Sequence, residues 1–297
     1  MRTEPQELQH YLVLADGSHW EIAAGDEEAA SIVSQLGCAM RLRMTSCTIE
    51  PPHRGDPRRL LVQVDAHTSV PDCYVPWASE NDRVVVCILR PCDQGSILYA
   101  NLVRLSLVLA REAQVRGGIL LHGALAEKDG IGVILAAPGG TGKTTASERL
   151  PAPWRSLCDD TTLVVRDTQG NYWAHPWPTW SRFLRGESGG TWDVQNAVPL
   201  KGVFFLSRAV EDRVESVGPG HAVSLLIECA GQTSQLMARG LSKEETRALH
   251  LERFDNLCAL ARVVPTHVLH ISLTGAFWQK IEQILEGSHC DGSIPNR

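Results

Sequence analysis

The chain has 297 residues, of which 43% are hydrophobic and 21% charged, a composition that fits a folded protein and excludes a disordered one. Lys and Arg number 28 against 34 Asp and Glu, which gives a formal net charge of −6, and no run of basic residues offsets this charge. We therefore expect neither nucleic acid nor an anionic membrane surface as a partner.

Nothing in the sequence has the pattern of a targeting or membrane-spanning segment. The first ten residues lack an apolar core and a cleavage site, and no apolar run approaches the roughly 18 residues of a membrane span. The nine cysteines are odd in number and include no Cys-x-x-Cys pair, which indicates reduced thiols. We therefore expect a cytoplasmic protein.

Residues 1–100 are predicted to form a smaller N-terminal α+β domain of unknown role. Apolar stretches at 11–14 and 19–23 flank an Ala-Asp-Gly-Ser turn and predict a β-hairpin. Residues 27–35 have helical spacing, and this helix is predicted to end at Gly37. Strands are predicted where β-branched residues cluster, at 59–64 and 83–89.

The remainder of the chain, 101–297, is predicted to form a larger α/β domain. The strongest helical pattern, at 96–115, leads into it with leucine and valine side chains on one face. Two buried strands follow at 119–124 and 132–137, joined by a turn that ends at Gly130. Further strands are predicted at 161–166, 172–174, 201–206 and 263–273, and further helices at 222–228, 244–260 and 275–285.

A glycine-rich segment, Ala-Pro-Gly-Gly-Thr-Gly-Lys-Thr at 137–144, follows the second buried strand and precedes a predicted helix. It fits the phosphate-binding loop, with Ala in place of the usual first Gly. Glycines let backbone N–H groups converge on phosphate oxygens, while Lys143 would reach the β and γ phosphates and Thr144 would ligate Mg²⁺. The alternative is a strand-to-helix turn that binds nothing. The predicted nucleotide-binding residues are Pro138, Gly139, Gly140, Thr141, Gly142, Lys143, Thr144 and Thr145.

The nucleotide is predicted to be ATP, and GTP is also possible because a phosphate loop does not contact the base.

Two adjacent aspartates, Asp159 and Asp160, follow a short apolar stretch. An acidic residue at a strand end beside a phosphate loop commonly holds the metal ion. One carboxylate, assigned to Asp159, can bind Mg²⁺ while the other accepts a proton from an attacking hydroxyl. The alternative is a solvated turn.

A His-Gly strand, a turn, a second strand, the phosphate loop and an Asp-Asp pair occur here in the order that is typical of HPr kinase/phosphorylase. His122 precedes Lys143 by 21 residues and Asp159 follows it by 16, and residues 117–165 as a whole resemble the catalytic domain of that family. The resemblance implies a P-loop kinase domain, with a fold related to phosphoenolpyruvate carboxykinases, that phosphorylates a protein serine. It also implies a catalytic set of His122, Lys143, Asp159 and Asp160, with His122 near the phosphates.

The sequence departs from that family at one metal ligand. The family places a metal-binding Glu before an Arg-Gly pair, but here Phe183 lies two positions before Arg185-Gly186. Glu187, just after the pair, is only a possible substitute. The first hundred residues and a tryptophan-rich segment also do not resemble the carbon-regulation kinase, which argues against HPr as the substrate.

A narrower resemblance is to the HPr-kinase-like ScmC proteins of SynChlorMet peptide-modification gene cassettes. It rests on the overall layout and on the segments at 157–164, 175–178 and 197–202. This resemblance implies a ribosomal precursor peptide or a partner protein as substrate. Because the related kinases form symmetric oligomers, a homo-oligomer is possible.

Two functions stay open on this sequence. The first is a kinase that transfers the γ-phosphate of ATP to a Ser or Thr hydroxyl of the peptide or protein. The second is a nucleotide-binding assembly or recognition factor that presents a peptide to a modifying enzyme without phosphotransfer. The altered metal-ligand position at Phe183 favours the second.

Tryptophan is unusually frequent, with 8 Trp against 5 Phe and 4 Tyr, and five of the eight lie between Trp154 and Trp192. The segment 175–192 holds two prolines and three glycines and is predicted to be an irregular loop. Its tryptophans either grip a peptide or cover the sheet. Ser181 and Arg182 in the same segment could contact phosphate.

Overall fold

The computed structural model describes residues 9–44, 57–69, 74–76, 83–92, 95–137, 142–180, 183, 185–186 and 190–290. Within these ranges the chain is mixed α/β, with thirteen strands in two sheets and six helices. None of the helices in the described part of the chain has the length and apolar character needed to cross a bilayer. The predicted mixed α/β class is confirmed.

The first sheet contains five strands. They are β1 (Gln9–Val13), β2 (His19–Ala24), β3 (Arg43–Met44), β4 (Arg58–Val64) and β5 (Val84–Leu89). Their order is β3-β1-β2-β4-β5. Strands β1 and β2 form the predicted antiparallel hairpin, while β4 and β5 add in parallel. The strands predicted at 59–64 and 83–89 are therefore confirmed, each within one residue at its start.

Helix α1 (Glu27–Ala39) packs against this sheet and is longer than predicted. It begins where Asp26 Oδ1 accepts a hydrogen bond from the Ala29 N–H at 2.8 Å. The predicted end at Gly37 is wrong, because that glycine lies inside the helix and faces the buried imidazole of His10. A Cβ at position 37 would overlap that ring, so the glycine permits close packing rather than ending the helix.

Helix α2 (Gly95–Val115) lies between the two sheets and confirms the helix predicted at 96–115. It buries apolar side chains together with Arg111 and Glu112, which pair with residues from other elements. Arg111 Nη1 lies 2.5 Å from Glu252 Oε1, and Glu112 Oε2 lies 2.7 Å from Arg58 Nη1. One continuous hydrophobic core contains side chains from α2 and from both sheets. A domain boundary at residue 100 stays a prediction.

The second sheet contains eight strands. They are β6 (Ile119–Lys128), β7 (Ile131–Ala136), β8 (Arg155–Cys158), β9 (Thr161–Arg166), β10 (Tyr172–Trp177), β11 (Val198–Arg208), β12 (Arg213–Ser216) and β13 (Thr266–Ile271). The order is β10-β9-β6-β7-β11-β13-β12, with β8 also paired to β6. Strands β7, β11 and β13 are parallel, so their carboxyl ends lie at one edge of the sheet.

Four helices accompany this sheet. They are α3 (Lys143–Glu148), α4 (Pro219–Ser234), α5 (Lys243–Val263) and α6 (Trp278–Cys290). Helix α5 begins with the capping box that its sequence predicts, since Ser242 Oγ accepts from the Glu245 N–H and Glu245 Oε2 accepts from the Ser242 N–H. The strand predicted at 263–273 is shorter, because α5 continues to Val263 and β13 begins only after Pro265.

The predicted irregular loop at 175–192 is wrong in its first three residues, which belong to strand β10. Pro176 lies opposite Thr162 of β9, and Trp177 lies opposite Thr161. The proline is tolerated because β10 is the last strand on this side of the sheet and has a full-length partner only on its β9 side.

His175, in the same strand, joins the two sheets. Its Nε2 accepts a hydrogen bond from the Ala15 N–H at 3.2 Å, and its Nδ1 donates to the Val194 carbonyl oxygen at 2.6 Å. These two bonds require the neutral imidazole with its proton on Nδ1. Burial lowers the pKa of His175 below its ordinary value of 6.5, although the Val194 carbonyl and Asp16 oppose this shift.

We expect the free energy of unfolding to fall as pH drops below 6.5, the ordinary pKa of histidine. The unfolded chain then binds a proton that the folded imidazole resists, and each unit of pKa depression corresponds to about 1.4 kcal/mol. The measurement is urea unfolding of the native chain and of His175→Gln from about pH 7.5 to 5. His175→Gln is expected to be less stable at pH 7.5 and to lose less stability on acidification. Equal losses in both proteins would contradict this role of His175.

Candidate functional site

Three residues that the sequence predicts as catalytic meet at one carboxylate. Asp160 lies in the turn between β8 and β9, and its Oδ1 is 2.7 Å from His122 Nε2. The same oxygen is 4.0 Å from Nζ of Lys143, the first residue of α3. Residues that are distant in sequence therefore place an imidazole, an ammonium and a carboxylate together.

Strand register explains why these residues meet. His122 of β6 lies opposite Thr161 of β9, the residue that follows Asp160. On the other side of β6, Gly123 lies opposite Ala136, the last residue of β7. The chain leaves β7 at that point and enters α3 at Lys143, so the pairing of β6 brings the ends of β7 and β8 to His122.

Lys143 is buried, with only 6% of its side chain exposed. Its Nζ donates a hydrogen bond to the Ala137 carbonyl oxygen at 3.0 Å. Burial lowers the pKa of Lys143, while Asp160, Cys229 and Asp159 act in the opposite direction. An ammonium that has lost part of its water in this way gains more than an exposed one from contact with an anionic ligand.

Gln232 is a neighbour of His122 that sequence analysis missed. Its Oε1 contacts His122 Nδ1, while His122 Nε2 faces Asp160. An Nε2–H that donates to Asp160 leaves Nδ1 to accept from the Gln232 amide, or to donate to Oε1 when the ring is charged. No motif includes Gln232, which approaches the site because helix α4 packs on β6.

The other predicted site residues divide into described and undescribed positions. Thr144 is half-buried and Thr145 is exposed in the first turn of α3, and Asp159 is half-buried beside Asp160. The phosphate-loop residues Pro138, Gly139, Gly140 and Thr141 lie outside the described residues, as do Ser181, Arg182 and Glu187. Within the described ranges, His, Cys, Asp and Glu side chains form no cluster of three or more that is suited to a metal ion.

A cavity of about 270 Å³ opens beside the His122 and Asp160 pair. Helix α2, the segment after β10 and the end of α4 form its walls, which are mostly apolar. The lining residues outside this pair are Tyr99, Val103, Ser106, Leu107, Leu120, Thr161, Trp177, Pro178, Thr179, Trp180, Gln232, Thr233 and Leu236. A cavity of this kind could hold an apolar side chain of a substrate close to the carboxylate.

The tryptophans of this region are packed, and two of them also line the cavity. Trp177, Trp180 and Trp192 are each at most 2% exposed. Trp180 meets Trp192 edge to face at 6.0 Å between ring centres, and its Nε1 donates to Ser106 Oγ at 3.0 Å. Packing therefore accounts for Trp192, while Trp177 and Trp180 serve both the core and the cavity wall.

The family model described as SynChlorMet cassette protein ScmC matches residues 85–286. The matched region includes His122, Lys143, Asp160 and the cavity beside them. A search of curated proteins gives no match. Because the family model covers more than half of the chain, the protein belongs to the family of SynChlorMet cassette protein ScmC.

Proposed function

We propose that this protein is an ATP-dependent kinase that transfers a phosphoryl group to a Ser or Thr hydroxyl of a ribosomal precursor peptide or partner protein. The observation that carries the proposal is the meeting of Lys143 and His122 at Asp160 Oδ1. The resemblance to HPr kinase/phosphorylase supports ATP as the phosphoryl donor. Membership of a cassette-protein family supports a precursor peptide as the acceptor.

The start of α3 fits the phosphates of a nucleotide. Gly142 has a φ of +104°, a left-handed conformation that glycine adopts without strain as the chain turns into the helix. Lys143 follows with its partly dehydrated ammonium, which is suited to the β and γ phosphates. Gly142, Lys143, Thr144 and Thr145 are the described residues that would hold the nucleotide.

Thr144 and Asp159 would hold Mg²⁺ together with the phosphate oxygens. Such a site needs only one or two protein oxygens, because Mg²⁺ is usually bound by substrate phosphates and water for the rest of its ligands. Bound there, the ion would neutralise charge on the phosphates. Thr144 supplies a hydroxyl and Asp159 a carboxylate, and both types of oxygen fit this ion.

Asp160 is the residue that we assign as the proton acceptor. It would take the proton of the acceptor hydroxyl as that oxygen forms a bond to the γ-phosphorus and the bond from this phosphorus to the bridging β–γ oxygen breaks, which leaves ADP. His122, 2.7 Å away, holds the carboxylate in place, and Lys143 stabilises charge on the transferred group. About half of the Asp160 side chain is exposed, so its proton can return to solvent.

The second candidate is a nucleotide-binding assembly or recognition factor that presents a peptide without phosphotransfer. Phe183, at the position where HPr kinase/phosphorylase carries a metal-binding Glu, is the observation that favours it. A direct assay separates the two candidates. The full-length protein is incubated with Mg²⁺, ATP labelled on its γ-phosphate and the peptide encoded beside its gene. Labelled peptide supports the kinase, whereas free phosphate alone or binding without turnover supports the recognition factor.

Lys143→Ala is expected to weaken ATP binding by about 100-fold or more, because it removes a buried charge-assisted contact to phosphate. Isothermal titration of the protein with ATP and Mg²⁺ measures this loss. Lys243→Ala is the matched control, since Lys243 is also the first residue of a helix but is exposed. Equal ATP affinities of Lys143→Ala and the native chain would show that the nucleotide does not bind at the start of α3.

Asp160→Asn is expected to bind ATP with little change and to lower the rate of label transfer by about 10²- to 10⁴-fold, the usual contribution of a general base. Single-turnover transfer at saturating ATP isolates this step. Asp255→Asn, an exposed aspartate on α5, is the control for the change of charge. Full transfer activity in Asp160→Asn would show that another group accepts the proton.

A further inference from the structure

Arg104 of helix α2 is buried without a partner in the part of the chain that the structure describes. Only 5% of the residue is exposed, and neither Nε nor Nη2 has a hydrogen-bond partner. Arginine stays charged in proteins, and a buried guanidinium is costly unless a carboxylate or similar group pairs with it. Arg104 is therefore an exception among the buried charges of this helix.

Two carboxylates in or next to α2 already form ion pairs with other arginines. Glu112 pairs with Arg58 at 2.7 Å, and Glu252 pairs with Arg111 at 2.5 Å. The thiol of Cys87 is close enough to Arg104 to feel its charge, but burial raises the pKa of that thiol to about 11. The thiol is therefore neutral at pH 7 and does not compensate the guanidinium.

Arg104 lines a second, mostly apolar cavity of about 140 Å³. Four residues of its lining also line the cavity beside His122 and Asp160, namely Tyr99, Val103, Leu107 and Leu236. The first three are spaced four apart on α2 and so form one ridge along the helix. The two cavities thus share the wall that this ridge forms, and Asp160 lines one cavity while Arg104, beside the ridge, lines the other.

We infer that Arg104 binds a carboxylate of the acceptor peptide while a nearby Ser or Thr hydroxyl of the same peptide lies at Asp160. The identity of the hydroxyl end rests on the proposed kinase function, but the carboxylate end rests on Arg104 and its cavity. The residue between the two groups is apolar, because Val103, Leu107 and Leu236 form the connecting walls. The substrate class is a peptide with a hydroxyl, an apolar side chain and a carboxylate close together.

The carboxylate has two possible sources, an Asp or Glu side chain or the carboxyl terminus of the peptide. A positional peptide library distinguishes them. Each member has a single Ser, and it has either Glu or Gln at one fixed offset from that Ser. The other positions are mixed, and the carboxyl terminus is either free or amidated. Binding of the full-length protein to each member is measured without nucleotide, and label transfer from ATP is measured in parallel.

We expect one offset, or the free terminus, to bind about 10- to 100-fold more tightly than its neutral counterpart, the usual effect of a hydrogen bond to a charged group. Arg104→Met is expected to abolish this preference without lowering the thermal midpoint of unfolding, because it removes an uncompensated charge and keeps an apolar side chain of similar length. Arg104→Lys is expected to retain part of the preference.

Arg111→Met is the matched control, since Arg111 lies two turns further along α2 and is equally buried but paired with Glu252. It should lower the thermal midpoint and leave the carboxylate preference unchanged. The inference is overturned if no offset and no free terminus binds more tightly than its neutral form, or if Arg104→Met keeps the preference. Binding with this preference but without label transfer would contradict the proposed kinase function and would still support the carboxylate site at Arg104.

Discussion

The pairing of β6 with two neighbours is the constraint on which the candidate site depends. On one side His122 is opposite Thr161, and Thr162 Oγ1 donates to the Gly123 carbonyl oxygen at 2.9 Å. On the other side Gly123 is opposite Ala136, and its lack of a side chain leaves room for Ile134. A slip of one residue in either pairing would turn every side chain of β6 to the other face and carry His122 away from Asp160. The register therefore fixes the chemistry of the site as well as the sheet.

Most elements of the fold could be predicted because their signals are local. The β1–β2 hairpin, the capping box before α5 and the helical face of α2 each follow from a pattern within one short stretch of sequence. The errors have non-local causes. Gly37 stays inside α1 because His10 occupies the space that a side chain would need. Pro176 stays in β10 because that strand has a full-length partner on one side only, so the missing backbone N–H of the proline is tolerated. Neither contact is visible in the sequence around the residue concerned.

The candidate site divides in the same way. His122, Lys143 and Asp160 could be predicted because a strand, a loop and an acidic turn follow each other at characteristic spacings, and the structure brings these three side chains together. Gln232 and Arg104 could not, because each reaches its place through a helix whose position depends on packing. Arg104 has the same sequence signal as Arg111, a charged residue in an otherwise apolar helix. Only the surroundings show that Arg111 has a carboxylate and Arg104 has none among the described residues.

The first sheet helps to hold helix α2, the helix that carries both Arg104 and Arg111. Arg58 of this sheet forms an ion pair with Glu112 of α2. Asp16, in the turn after β1, has its Oδ2 3.1 Å from Nε of Arg116, which directly follows the helix. These two contacts satisfy charges on the side of α2 that faces the first sheet, and the Arg111–Glu252 pair satisfies the side that faces α5. The ridge of Tyr99, Val103 and Leu107 then remains over the two cavities, with Arg104 beside it. Because Arg104 lies on a packed helix, the distance between Arg104 and Asp160 is set by the fold and not by the motion of a loop. A peptide that fits both ends would therefore be selected by its spacing as well as by its charge.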